Sequence, residues 1–196
     1  MKKIAKIKDN ITKTEFKHLL NYTKADTSIR DNRKNRLIKI FSLLYITGLR
    51  VNETTQLTNK ILLELMKEKT TKIIAHKQKM EKLIFITGDG VKQLKNVFGE
   101  IEENDNFLLT SERGSKKSPL AINSVIRDIN TYLKKVFPNK NITSHSFRQS
   151  LITELAQKNI NTKVIQTLIG HKDISTTYRY IKPSENDIMN SLELVR

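Results

Sequence analysis

Thr47-Gly48-Leu49-Arg50-Val51-Asn52-Glu53 and, far along the chain, His145-Ser146-Phe147-Arg148, Leu168-Ile169-Gly170-His171 and Ser175-Thr176-Thr177-Tyr178-Arg179-Tyr180 are the stretches on which the reading of this chain turns. Residues three apart are neighbours on a helix, so His145 and Arg148 share one face. Gly48 falls where an apolar helix should stop, and Gly170 where a later one should, in a left-handed turn that glycine enters without strain. The turn at Gly170 would throw His171 off the helix end. Ser175 can cap the next helix, which carries Tyr180. Two arginines, two histidines and a tyrosine suit attack on a phosphodiester. Guanidinium forks match phosphate oxygens bidentately and stay charged, and they stabilise the charge that grows on the non-bridging oxygens in the transition state.

Outward from these stretches the pattern is mainly helical. Thr12 with Glu15 makes a capping box that predicts a first helix over about 13–24. Leu37, Ile40, Phe41, Leu44 and Tyr45 recur at helical spacing and predict a second, ending at Gly48. Asn52 can cap a third, running to about Lys67. Two β-branched or apolar runs, Lys72–His76 and Leu83–Thr87, flank the short polar segment Lys77-Gln78-Lys79-Met80-Glu81 and read as a hairpin. Gly88-Asp89-Gly90 breaks the chain before a helix around Val91–Phe98, and Asn106–Thr110 is a candidate third strand. Helices are expected at Leu120–Val136, Ser144–Gln157, Thr162–Ile169, Ser175–Ile181 and Ser184–Leu194. The fold class expected is therefore α+β: mainly α, with a small antiparallel β-sheet on one side.

Composition narrows the function classes. The chain has 196 residues with 36 Lys+Arg against 20 Asp+Glu, a formal net charge of +16. A protein this basic is drawn to polyanions, of which nucleic acid is the commonest, although a coding bias toward Lys, Ile and Asn produces positive charge too. Cysteine is absent, which removes disulfides, cysteine nucleophiles and thiolate metal sites. No apolar run approaches the ~20 residues of a membrane span, and the N-terminus lacks the apolar stretch of a secretory signal. A cytoplasmic location is expected. No carboxylate cluster stands at metal-ligand spacing; Glu102-Glu103-Asn104-Asp105 reads as a solvated loop.

Taken together and in order, the four motifs resemble the tyrosine recombinase, or phage integrase, family: an arginine in a TGLR-x-x-E segment, then H-x-x-R, then L-x-G-H, then a tyrosine nine residues on, since 180 − 171 = 9. The resemblance runs from about Thr12 to the end and implies the catalytic-domain fold of that family. It implies a site-specific recombinase of integrase or invertase type, working through a 3′-phosphotyrosyl intermediate with no cofactor and no metal. Residue by residue, Tyr180 would be the nucleophile, Arg50 and Arg148 would clamp the scissile phosphate, and His171 would donate a hydrogen bond to it. His145 would manage the tyrosine proton. The family's hairpin lysine, the general acid for the 5′-oxygen, falls on Lys77, with Lys79 as runner-up because the hairpin lacks the usual glycine.

Each residue taken alone has a structural alternative. Arg50 could simply pair with Glu53, and His145 could simply cap a helix. Glu53 reads as structural, placed near the positive end of its helix. Tyr178 competes with Tyr180, but two residues along a helix differ by about 200° in direction, so only one faces the phosphate. His18 and His76 read as surface residues. Gln149 stands where the family commonly has a second histidine.

The chain is expected to be a single catalytic domain over 1–196, with an N-terminal extension over 1–11, a tail helix over 183–196 and no N-terminal core-binding domain, either as a fragment of a longer enzyme or in the manner of the short single-domain recombinases that invert promoter segments. The expected partners are double-stranded DNA and further copies of the chain, monomeric when free and tetrameric on DNA, with the tail docking on a neighbour through Ile188, Met189 and Leu192. The competing readings are a type IB topoisomerase, which typically has a lysine at the place of His145, and a non-catalytic DNA-binding relative.

Overall fold

The structure is a computed structural model that describes residues 8–75, 80–110 and 115–170, together with Met189 and Glu193. It falls into two compact units, Met1–Leu151 and Ile152–Arg196. The fold class is the one expected: helices dominate, and a two-stranded antiparallel sheet is the only sheet among the described residues.

In the first unit, α1 spans Lys13–Ala25. Its capping box forms as read: the Thr12 amide donates to Glu15 Oε2 at 2.9 Å and the Glu15 amide to Thr12 Oγ1 at 3.2 Å. Phe16, Leu19 and Thr23 turn inward from it. The second helix, α2 (Asp31–Thr47), ends at Gly48, whose φ of 63° is left-handed and whose amide donates to the Leu44 carbonyl at 3.1 Å. Phe41, Phe16, Phe147 and Tyr132 meet as stacked, edge-on and tilted rings at the centre of the unit, where aromatic pairs add to their burial.

The third helix expected from Asn52 is divided. A single turn, α3 (Val51–Thr54), is capped at Arg50, and a separate α4 (Asn59–Glu68) starts from Thr58. The hydroxyls of Thr54 and Thr55 bond back to the Val51 and Asn52 carbonyls. Such bonds compete with helix continuation, and the chain then buries Leu57 before Thr58 caps the next helix.

The hairpin comprises β1 (Thr70–Ala75) and β2 (Met80–Phe85), in a register that pairs Ile73 with Lys82 and Lys72 with Leu83. Alternation sends Thr71, Ile73, Lys82 and Ile84 inward, and leaves Ile74, Leu83 and Phe85 exposed. The strand expected at Asn106–Thr110 is not formed. That segment makes an isolated bridge, Thr58 to Phe107, while Leu108 donates to the Leu57 carbonyl and Phe107 to the Lys116 carbonyl. Its hydrogen bonds go to separate partners, so no ladder builds.

Helix α5 (Gly88–Phe98) begins earlier than expected because Thr87 caps it, accepting from the Gly90 amide. A Cβ on Gly90 would come within 2.9 Å of Ile46, so glycine is what lets α5 approach α2. Helix α6 (Ile122–Val136) buries Val125, Ile129, Tyr132, Leu133 and Val136 on one stripe. Helix α7 (Ser144–Gln157) then carries His145 and Arg148. Residues 8–11 lie along it: the Ile11 amide donates to Ser150 Oγ at 2.7 Å, and Gln149 Nε2 donates to the Lys8 carbonyl at 3.3 Å.

In the second unit, α8 (Thr162–Ile169) is capped by Asn161 and closes on Gly170, left-handed at φ 70° as the sequence predicts. The helices expected at Ser175–Ile181 and Ser184–Leu194 lie outside the described residues, apart from Met189 and Glu193, which are helical.

Candidate active site

Three of the six expected site residues, Arg50, His145 and Arg148, are described, and all three lie in the first unit. Lys77, His171 and Tyr180 lie outside the described residues, as do Lys79, Tyr178 and His76.

Arg50 occupies the N-cap of α3, directly after the glycine turn that ends α2. Arg148 comes to the same turn from α7. It is 5% exposed and donates from Nη1 to the Gly48 carbonyl at 3.0 Å. Two arginines remote in sequence are thus brought to one loop, one pinned to its backbone and the other part of it. The Arg50 side chain is half-buried, and His145 is exposed one helical turn before Arg148. His18 is exposed, as expected.

Glu53 organises this corner. Its carboxylate is buried, 2% exposed at the side chain. Oε2 accepts from the Arg50 amide at 2.8 Å, the reach-back half of a capping box, so the structural reading of Glu53 stands. Oε1 accepts from Arg50 Nη1 at 3.1 Å. Sequence reasoning missed the third partner: Lys82 Nζ donates to Oε2 at 3.0 Å, from a side chain that is 8% exposed. The signal that could have found it is strand parity, because Lys82 shares the inward face of β2 with Ile84.

The electrostatics follow from this crowding. Burial alone would raise the Glu53 carboxyl, but Lys82, the Arg50 amide and Arg148 more than offset it and hold Glu53 below the usual carboxylate range. Lys82 is pushed down to about 8, first by burial and then by Arg148 and Arg50, with Glu53 opposing. Desolvation lowers His145 as well, helped by the charges of Lys8, Arg50 and Arg148. Its imidazole is therefore biased toward the neutral form that can accept a proton. Arg50, Lys82 and Arg148 against Glu53 leave two positive charges in excess at this corner, which suits an anion (phosphate above all). Among the described residues no group of three or more carboxylate or imidazole side chains is placed to hold a metal ion, and no helix is long and apolar enough to cross a membrane.

A family-wide sequence profile described as the phage integrase family matches residues 9–187. The chain belongs to that family. Its similarity to a tyrosine recombinase XerA of Pyrococcus horikoshii is 29% identity over 167 residues, 85% of this chain and 56% of that protein. A tyrosine recombinase XerC of Leptospira interrogans is 28% identical over 187 residues, 91% of this chain and again 56% of the relative. The chain thus spans a little over half the length of these curated relatives. Among solved structures, a Tn1549 transposon integrase in complex with a circular intermediate DNA superposes with a TM-score of 0.75 at 17% identity, covering 100% of this chain and 68% of that one. The crystal structure of a XerA recombinase gives 0.67 at 21%, covering 95% and 65%. At these identities the superpositions establish a shared fold. The phage integrase family catalytic-domain fold expected from the motifs is the fold found.

Proposed function

We propose that this chain is the catalytic part of a site-specific DNA recombinase that cuts and rejoins strands through Tyr180. The observation that carries the reading is the convergence of Arg50 and Arg148 on the Gly48 turn, with His145 on the same helix face as Arg148. In the proposed step the Tyr180 oxygen attacks the scissile phosphorus. The new bond is Tyr O–P and the broken one is P–O5′. His145 takes the tyrosine proton, Lys77 gives one to the departing 5′-oxygen, and Arg50, Arg148 and His171 bind the non-bridging oxygens. The phosphotyrosyl bond retains the energy of the phosphodiester, so attack by a 5′-hydroxyl reverses the step without a cofactor. Incubation with a nicked duplex taken from the DNA flanking the coding region tests the reading: a covalent protein–DNA adduct supports it, and binding without any adduct at substrate excess sinks it.

The leaving-group role has its own test. Lys77→Ala is expected to slow cleavage of a normal phosphodiester by roughly 100-fold, within the range of general-acid contributions. A substrate with sulfur at the 5′-bridging position leaves without a proton and should restore most of the rate. Rescue of a Lys79 variant instead moves the role to Lys79, and rescue of neither removes it from this hairpin.

Double-stranded DNA is the proposed partner, and tetrameric assembly on DNA the proposed working state, with the free chain monomeric, cytoplasmic and its 183–196 tail docking on a neighbour. With a net charge of +16, binding to duplex DNA should weaken steeply with salt. Each phosphate contact contributes a slope of about −0.9 in log K against log salt. Fluorescence anisotropy across a salt series measures that slope, and a nearly flat line contradicts the proposed DNA surface.

A further inference from the structure

Lys82 has no part in the chemistry above, yet it is a buried lysine paired with a buried carboxylate. Such a pair is a poor stabiliser: desolvating both ions is expensive, and a well-packed apolar residue often serves the fold as well. What distinguishes this pair is the atom it uses. Glu53 offers two oxygens. Oε2 receives both the Arg50 amide and Lys82 Nζ, and Oε1 receives Arg50 Nη1. With Oε2 filled, a fork-to-fork pairing of Arg50 on Glu53 is blocked. Among the described residues the Arg50 guanidinium makes that one hydrogen bond, and its side chain stays 35% exposed. Resting on the reading that Arg50 clamps the scissile phosphate, we infer that Lys82 is a positioning residue: by occupying Glu53 Oε2 it fixes the carboxylate and keeps Arg50 turned outward for the phosphate.

The consequence is directional. Without a cation at Oε2, Glu53 remains buried with Arg50 as its nearest counter-charge, and a bidentate pairing becomes the most favourable arrangement. Arg50 is then drawn inward and away from DNA. The device also senses pH. The charged groups acting on Lys82 are Glu53 from α3, Arg50 from the loop before it and Arg148 from α7. With burial they place its titration at about 8. Below that pH Lys82 is an ammonium and Arg50 is held outward; above it Lys82 loses its charge and the hold relaxes.

The first test needs neither DNA nor a variant. In the free protein, the Arg50 Nε–H resonance is followed from pH 6.5 to 9.5, a window that spans the Lys82 titration at about 8. The expected result is that it shifts in step with the Lys82 side-chain signal. An Arg50 signal that ignores the Lys82 transition overturns the inference. The second test uses the nicked duplex from the flanking DNA. Lys82→Met should cut roughly 10- to 100-fold more slowly below pH 8, the scale of a misplaced catalytic group, and the gap to the parent should narrow above it. Lys82→Arg should retain most of the rate and lose the alkaline decline. Adding Lys82→Met to Arg50→Ala should cost no more than about twofold further, because both act through one group. A folded Lys82→Met that cleaves like the parent, a gap constant with pH, or a loss that multiplies with that of Arg50→Ala refutes the positioning role. Absence of an adduct from the parent itself counts against the recombinase reading, and the resonance test still decides this one.

Discussion

Tyr180→Phe is expected to abolish the covalent protein–DNA adduct while leaving duplex binding within about fivefold of the parent. The substitution removes one hydroxyl and keeps the ring. Without an oxygen to attack phosphorus, no phosphotyrosyl bond can form, whatever the arginines contribute. Binding changes by at most one hydrogen bond, about 1 kcal/mol, which is the fivefold allowed in the dissociation constant. Tyr178→Phe should form adduct as the parent does. The pair of variants matters more than either alone, because together they say which of the two tyrosines carries the DNA. Adduct from the Tyr180 variant together with loss in the Tyr178 variant would move the nucleophile two residues back.

Arg148→Ala carries the second large effect, and it acts twice. As one of the two proposed phosphate clamps, its loss should slow adduct formation by about 100- to 1,000-fold, the scale for removing one preorganised donor to a developing oxyanion. Because Arg148 is buried and donates to the Gly48 carbonyl, its removal should also lower stability by about 1–3 kcal/mol, a loss of several degrees in melting temperature for a chain of this size. Arg148→Lys separates the two. A lysine retains charge but not the planar fork, so it should recover much of the stability and little of the rate. Removing Arg148 also takes away a cation that presses Lys82 down, so the Lys82 titration should move upward in Arg148→Ala. Equal recovery of rate and stability by Arg148→Lys would mean that the residue serves the fold alone.

The sequence is most transparent where a signal is local. The Thr12–Glu15 capping box, the glycine stops at Gly48 and Gly170 and the apolar stripe of α6 each act within one or two turns, and each appears where the pattern puts it. It is least transparent where distant partners compete for the backbone. The helix expected from Asn52 breaks because Thr54 and Thr55 turn their hydroxyls onto their own carbonyls, and because Leu57 is drawn into the core. Residues 106–110 have strand-like composition, but their amides find Leu57 and Lys116 separately, helped by Asn104 Oδ1, which accepts from both Asn59 and the Asn106 amide. Within the site the same division holds. Arg50, His145 and Arg148 stand out in the sequence because their chemistry and spacing coincide, and the fold brings Arg50 and Arg148 to the Gly48 turn. Lys82 was not, because its partner lies on another element, and a lysine in a strand reads as a surface residue until its parity is known.

The most direct test of the central claim is the site of covalent attachment in the unmodified chain. After incubation with a nicked duplex from the flanking DNA, the adduct is digested with protease and nuclease, and the nucleotide-bearing peptide is sequenced by mass spectrometry. The account predicts a single modified peptide with the 3′-phosphoryl nucleotide on the Tyr180 oxygen. A nucleotide on Tyr178, on a serine or on a histidine, or an adduct joined through the 5′-phosphate, would contradict it.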